Sequence, residues 1–253
     1  MDLILIERPR PDILRIVMNR PERRHAVTPE LRAQILDAMK AGEVDPSVRA
    51  IILTGSGGHF SGGGDIERIS GLTEADIPDY MKGLRRFIVA LGNCTKPLVA
   101  AVQGVAAGGG AGFALACDFI VMGRGATFVF PFFRIGLIPD AGILHHLPRR
   151  VGLAMARQLL FIDQRVDGAR SERIGLADFV TDDARVQEEA VELATKLARH
   201  PPQAFGLTKA ILSGEGQSLS EILVAEAKAQ QLCLQSEQFK DGVAAFMKKG
   251  EGR

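Results

Sequence analysis

In the N-terminal half of the chain, short apolar runs alternate with stretches of helical spacing. Leu3 to Glu7 and Ile13 to Met18 fit two short strands, and Pro9, Pro11 and Asp12 between them fit a turn, so a hairpin is expected at the start. Thr28-Pro29 supplies an N-cap hydroxyl and a first-turn proline to a helix whose Leu31, Ile35 and Met39 share one face. Val48 to Leu53 reads as a buried strand and leads into Thr54 to Asp65, where glycines are too dense for a regular element. The pattern then predicts an amphipathic helix over Ala75 to Leu91, a strand at Pro97 to Val102 and a helix after Gly108-Gly109-Gly110. Strands follow near Phe119 to Met122 and Thr127 to Phe130, with Phe128, Phe130 and Phe132 on one side and Val129 on the other.

From Gly152 the spacing turns helical, over Leu153 to Phe161, Arg185 to Arg199, Gln203 to Leu212 and one long segment from Leu219 to about Lys248. The expected organisation is an α/β core over residues 1–195 and a helical region over 196–253 that packs on the core or on another subunit.

The 253 residues, 46% hydrophobic and 24% charged, hold enough apolar material for one large core. Thirty-one Lys and Arg balance thirty Asp and Glu, and a net charge of +1 gives no global field to gather nucleic acid or an anionic membrane. Any anionic ligand must therefore be met by local charges. No apolar run approaches the roughly 20 residues that span a bilayer, and the first residues lack a secretory pattern, so a cytoplasmic location is expected. Cys94, Cys117 and Cys233 are too widely spaced for a zinc site or a disulfide framework and are expected to be reduced.

The glycine clusters fail the tests for phosphate loops. Gly108, Gly110 and Phe113 miss the dinucleotide spacing, no lysine precedes Ser or Thr, and no G-x-S-x-G elbow is present. What remains is two glycine loops, each following a buried strand, that can present one amide apiece to a shared oxygen. Taken alone, each also fits a tight turn needing positive φ. Asp140, in Ile138-Pro139-Asp140-Ala141-Gly142, is the candidate acid, though a turn or N-cap role suits it equally. His59 reads as a loop residue, and the adjacent His145 and His146 lack metal-ligand spacing, so no metal is expected.

Four segments, Met18-Asn19-Arg20-Pro21-Glu22 through Ala26, His59 to Ile66, Gly104 to Asp118 and Ile135 to Gly142, make the chain resemble the enoyl-CoA hydratase/isomerase superfamily, also called the crotonase family. Leu147-Pro148-Arg149 and Phe205 to Lys209 extend the likeness over essentially the whole chain. The resemblance implies a crotonase-like α/β spiral of repeated β-β-α turns with a C-terminal helical region that packs into trimers or dimers of trimers. It also implies an acyl-CoA thioester as substrate, with coenzyme A part of that substrate and no separate cofactor.

By position, the resemblance makes the amides of Gly62 and Gly109 the donors to the thioester oxygen. It brings Arg24, Ala26, Asp65 and Ile66 to the coenzyme A portion and turns Phe132 toward the acyl chain. The two glutamates with which family hydratases add water are replaced by Gly112 and Phe132, neither of which can move a proton. Asp140 stands where several family isomerases, including the Δ3,Δ2-enoyl-CoA and ring-1,2-epoxyphenylacetyl-CoA types, keep their acid. A lone carboxylate among Phe128, Phe130, Phe132 and Phe133 is expected to gain basicity by desolvation. Double-bond isomerisation is the expected reaction. The alternatives are hydration, with Asp65 or a histidine activating water, and a non-catalytic acyl-CoA-binding role.

Overall fold

Pro11 and Asp12 close a hairpin between β1 (Ile4–Arg10) and β2 (Ile13–Met18) in the computed structural model, which describes residues 2–163, 165–214 and 216–250. The turn is tighter than the proline cluster suggests, because Pro9 lies inside β1. An edge strand whose pairing shifts register between Glu7 and Arg10 tolerates a residue with no N–H. Seven further strands follow among the described residues: β3 (Ala50–Gly55), β4 (Leu98–Val102), β5 (Val105–Ala107), β6 (Phe119–Gly123), β7 (Thr127–Val129), β8 (Arg165–Asp167) and β9 (Phe179–Thr181).

These strands form two sheets. The larger runs β1-β2-β3-β4-β6-β9, parallel after the first pair, and the smaller runs β5-β7-β8. β4 passes directly to β5, and β6 to β7, so each circuit lays one strand in each sheet before its helix. The glycine-rich stretch after β3 takes the same path without becoming a strand, since Ser61 bridges Ala106 and Gly64 bridges Val27 in parallel register. This is the spiral of β-β-α turns that the resemblance implies.

The helices are α1 (Pro29–Val44), α2 (Ile66–Ser70), α3 (Ile77–Asn93), α4 (Gly109–Leu115), α5 (Ile143–Val151), α6 (Leu153–Gln158), α7 (Gly168–Arg173), α8 (Val186–Leu197), α9 (Pro202–Leu212), α10 (Leu219–Leu234) and α11 (Glu237–Gly250). At the start of α1, the Thr28 hydroxyl accepts the Leu31 N–H at 3.2 Å, as its sequence position predicts. Alternation in the strands buries both faces of the larger sheet. Ile51, Leu53, Leu98 and Ala100 pack with α1 and α3, while Ile52, Val99, Ala101 and Val121 pack under Val186, Ala190 and Ala194 of α8. Burying each large aliphatic or aromatic side chain contributes about 1.5–3 kcal/mol, which the Phe87 to Phe113 contact, at 4.5 Å between ring centroids, extends from α3 to α4.

Several expectations change. The long C-terminal segment is two helices, because Ser236 accepts the Phe239 N–H at 3.1 Å and starts α11 after α10 has ended. Likewise the stretch from Leu153 divides into α6 and a π-helical turn, Leu159–Asp163. The strand predicted over the phenylalanine run stops at Val129. Pro131 turns the chain into a 3-10 turn, Phe132–Ile135, so Phe132 leaves the row formed by Phe128 and Phe130. Among the described residues no helix is long and apolar enough to cross a membrane.

α9 is held to the core by Lys209, whose Nζ lies 2.8 Å from Asp118 Oδ2 with only 10% and 16% of the two side chains exposed. Burial pushes the Asp118 carboxyl up, and Lys209 draws it back down. Replacing Lys209 with Met leaves that carboxylate buried without its cation, and the loss expected is about 3 kcal/mol, read as a lower denaturant midpoint at unchanged slope.

Candidate active site

Gly63 brings two loops of the spiral into contact. Its φ of +92° lies in the region open to glycine, and a Cβ there would come within 2.6 Å of the Ala107 carbonyl oxygen. Beneath it, the buried Ser61 hydroxyl donates to the His25 carbonyl at 3.0 Å and accepts the Gly63 N–H at 3.2 Å. The loop after β3 and the loop before α4 are thereby pinned backbone to backbone.

This pinning decides which amides are free. The Gly62 amide, expected to face a thioester oxygen, donates instead to the Arg24 carbonyl at 2.6 Å and is occupied. Two residues on, the bridge to Val27 uses the Gly63 carbonyl and the Asp65 amide, which turns Gly64's own N–H to the opposite side. Neither the Gly64 amide nor that of Gly109, at the first turn of α4, finds an acceptor among the described residues. The Gly64 nitrogen would lie 3.9 Å from a Cβ placed on Gly109. Three consecutive glycines hide this choice in the sequence, and only the alternation of a parallel bridge reveals it.

Asp140 lies in the loop between the 3-10 turn and α5, next to Ala141, whose φ is +49°. A Cβ on Gly112 would come within 2.6 Å of the Ala141 Cβ. The position where family hydratases carry their first acid is therefore filled by the Asp140–Ala141 turn itself, and Gly112 is what lets the turn seat against α4. Burial pushes the Asp140 carboxyl above the usual carboxylate range, while its own backbone amide and the Arg32 guanidinium draw it back.

A cavity of about 250 Å³ joins these groups, with Gly64, Gly109, Asp140, Phe132, Ile66 and Tyr80 in its wall. Gly62 also borders it, although its amide points elsewhere. Phe132 is 6% exposed, and its ring would lie 3.9 Å from a Cβ on Gly108, which closes the second acid position of a hydratase with an apolar face. Of the other phenylalanines expected to line the pocket, Phe128 and Phe130 stack on each other in the core, and Phe133 stacks on Phe161.

Arg24, Ala26 and Asp65 do not border this cavity. Arg24 is exposed, and its carbonyl holds Gly62. Ala26 gives its N–H to the Arg23 carbonyl, and its own carbonyl accepts from Arg20 Nη1 at 3.2 Å. Asp65 caps α2 and lies 3.9 Å from both Arg20 and Arg23 in an adjoining cleft of about 590 Å³, where Arg68 pairs with Glu30. Arg20 and Arg68 are cations of this cleft that the sequence does not single out, since neither differs in pattern from a solvated arginine.

The histidines are occupied structurally. His25 accepts the Arg20 N–H on Nδ1 at 3.0 Å and lies 2.8 Å from the Ser56 carbonyl through Nε2, which assigns a neutral ring protonated on Nε2. Burial lowers its pKa. His59 Nδ1 accepts the Val105 N–H at 3.3 Å. The His145 and His146 rings touch edge to face, and burial, with His145 beside it, pushes His146 down to about 4. Among the described residues no cluster of His, Cys, Asp and Glu is arranged to hold a metal ion.

The family model for enoyl-CoA hydratase/isomerase matches residues 10–253. The 1,2-epoxyphenylacetyl-CoA isomerase of Escherichia coli is 35% identical over 242 residues, 94% of this chain and 92% of that one. The 2,3-dehydroadipyl-CoA hydratase of the same organism is 30% identical over 239 residues, 94% and 92% of the two chains. A crystal structure of an enoyl-CoA hydratase from Bacillus anthracis superposes with a TM-score of 0.93 at 26% identity, covering 98% of this chain and 97% of that one. Relatives of both reaction types match along the same length, and the two acids of the hydratase pattern are absent from this site. The chain belongs to the enoyl-CoA hydratase/isomerase family, whose members act on acyl-CoA thioesters.

Proposed function

We propose that the protein is an acyl-CoA isomerase that shifts a carbon-carbon double bond through a thioester dienolate, with Asp140 carrying the proton. The observation behind this reading is one carboxylate in a cavity with two unoccupied amides, where Ala141 and Phe132 fill the places of the water-adding acids. Asp140 takes a proton from the carbon next to the thioester, and the electron pair spreads toward the thioester oxygen. There the Gly64 and Gly109 amides receive the charge, each well-placed donor being worth about 3 kcal/mol of barrier. The same carboxyl then returns the proton two carbons away, so proton and charge both balance without a further acid. No cofactor enters this step, since coenzyme A belongs to the substrate.

Arg20, Arg23 and Arg68, which share the adjoining cleft with Glu30, Asp65 and Glu67, are the guanidinium groups that suit the phosphates of that coenzyme A. The exposed Leu223, Val224, Phe239 and Phe246 of α10 and α11 suit burial against further copies, as a trimer or a dimer of trimers. A cytoplasmic location agrees with this reading.

Incubation with 3-enoyl-CoA and 2-enoyl-CoA substrates tests it directly. Migration of the double bond is expected to exceed hydration, and Asp140→Asn to lower migration by about 10²–10⁴-fold. Unimpaired migration in that variant, or hydration as fast as migration, would overturn the reading. Gly112→Glu is expected to produce no hydratase and to lose about 3 kcal/mol of stability to the clash with Ala141, measured by denaturant unfolding alongside a hydration assay.

Asp140 also ties function to pH. A carboxyl whose folded-state pKa is raised favours folding below its unfolded pKa, and this contribution is lost as pH rises through the folded value. Asparagine carries no such burden, so Asp140→Asn is expected to melt with the wild type near about pH 4 and above it near about pH 7.5. Equal melting temperatures at both pH values would show that the carboxyl is not held against its ionisation.

A further inference from the structure

We propose that Arg32 is a positioning residue for proton transfer, its buried guanidinium under the Tyr80 ring acting as the fixed counter-charge of the Asp140 carboxylate. This rests on Asp140 being the proton carrier. Arg32 lies on α1 and is only 4% exposed, an unusual place for a cation on a helix whose other buried positions are apolar or glycine. It makes no ion pair among the described residues, and its Nη1 has no hydrogen-bond partner. Its guanidinium carbon lies 4.8 Å from the centre of the Tyr80 ring, and Tyr80 and Asp140 share the cavity wall.

A buried cation with no carboxylate in contact is costly to keep, so its place needs a reason. The groups that face it supply one. Burial disfavours its charge, while Tyr80 from α3, Asp140 from the loop before α5 and Glu30 on α1 favour it and Arg68 of α2 opposes it. Tyr80 in turn feels Arg32, Asp140, Arg68 and Asp65. Arg32 is the charged residue that eases the ionisation of Asp140 against burial.

Standing off without an ion pair suits a shuttle. Direct pairing would fix both carboxylate oxygens and reduce their basicity, whereas a cation behind a ring leaves the carboxylate free to reach two carbons. Once Asp140 has taken the proton, the negative charge resides on the dienolate. The same cation then makes the neutral acid readier to release its proton to the second carbon. A carrier that must both take and give needs an affinity matched to each step.

The test compares the pH profile of kcat/KM for isomerisation in Arg32→Met, Arg32→Lys and Asp140→Asn, with thermal melts to establish folding. Arg32→Met is expected to fall about tenfold on the acid side and to converge with wild type on the alkaline plateau, while Arg32→Lys follows wild type closely. Should Met not fold, Arg32→Gln carries the same expectation. An equal loss at every pH, or an unchanged profile, overturns the counter-charge. If Asp140→Asn is inactive and the Arg32 profile does not move, this inference alone falls; if Asp140→Asn isomerises fully, the Asp140 reading falls with it.

Discussion

The approach of Gly63 to the Ala107 carbonyl is the contact on which the site depends. Successive circuits of the spiral are separate in sequence, and a side chain at position 63 would hold them apart. With that spacing removed, two loops lie backbone to backbone, and their amides reach a common space without help from flexible side chains. Such donors are already oriented before a ligand arrives, which makes them effective against charge that appears only during reaction. Ser61, buried beneath, fixes the loop by using both its hydrogen and a lone pair.

A second close approach, at Gly112, governs which acid can exist. The Asp140–Ala141 turn leans into the surface of α4 where a side chain would otherwise project. Acid choice in this pocket is thus a steric matter before it is a chemical one: a carboxylate on the helix and the turn that carries Asp140 exclude each other in their present positions. Apolar walls then raise the proton affinity of the carboxyl that remains, at some expense in folding stability.

Much of this was legible in the sequence. Thr28-Pro29, the spacing of Leu31, Ile35 and Met39, and the buried strands all carried local signals that tertiary structure kept. Gly109 and Asp140, which the family resemblance singled out, both border the cavity. Gly62 could not be told from Gly64, since hydrogen-bond register between distant segments settles it and composition is silent on register. Phe132 left its expected row because Pro131 ends the strand, and the short β8 and β9 have too few residues to show a period. Arg32 was invisible for a simpler reason. A single arginine in an amphipathic helix reads as surface until the packing of α3 covers it.

The bridge between Ser61 and Ala106 sets a register that, carried three residues forward, places Gly64 opposite Gly109. In a parallel bridge only one residue of a pair gives its own N–H and C=O to the partner strand, as Ser61 does opposite Ala106, so a continued ladder would engage one member of the pair and turn the other away. Here the two segments part after their bridge, one turning into α2 and the other into α4, and the pairing is left unfinished at that point. The pocket is the fork of an incomplete sheet, and its two donors are amides left outside the pairing where the strands part.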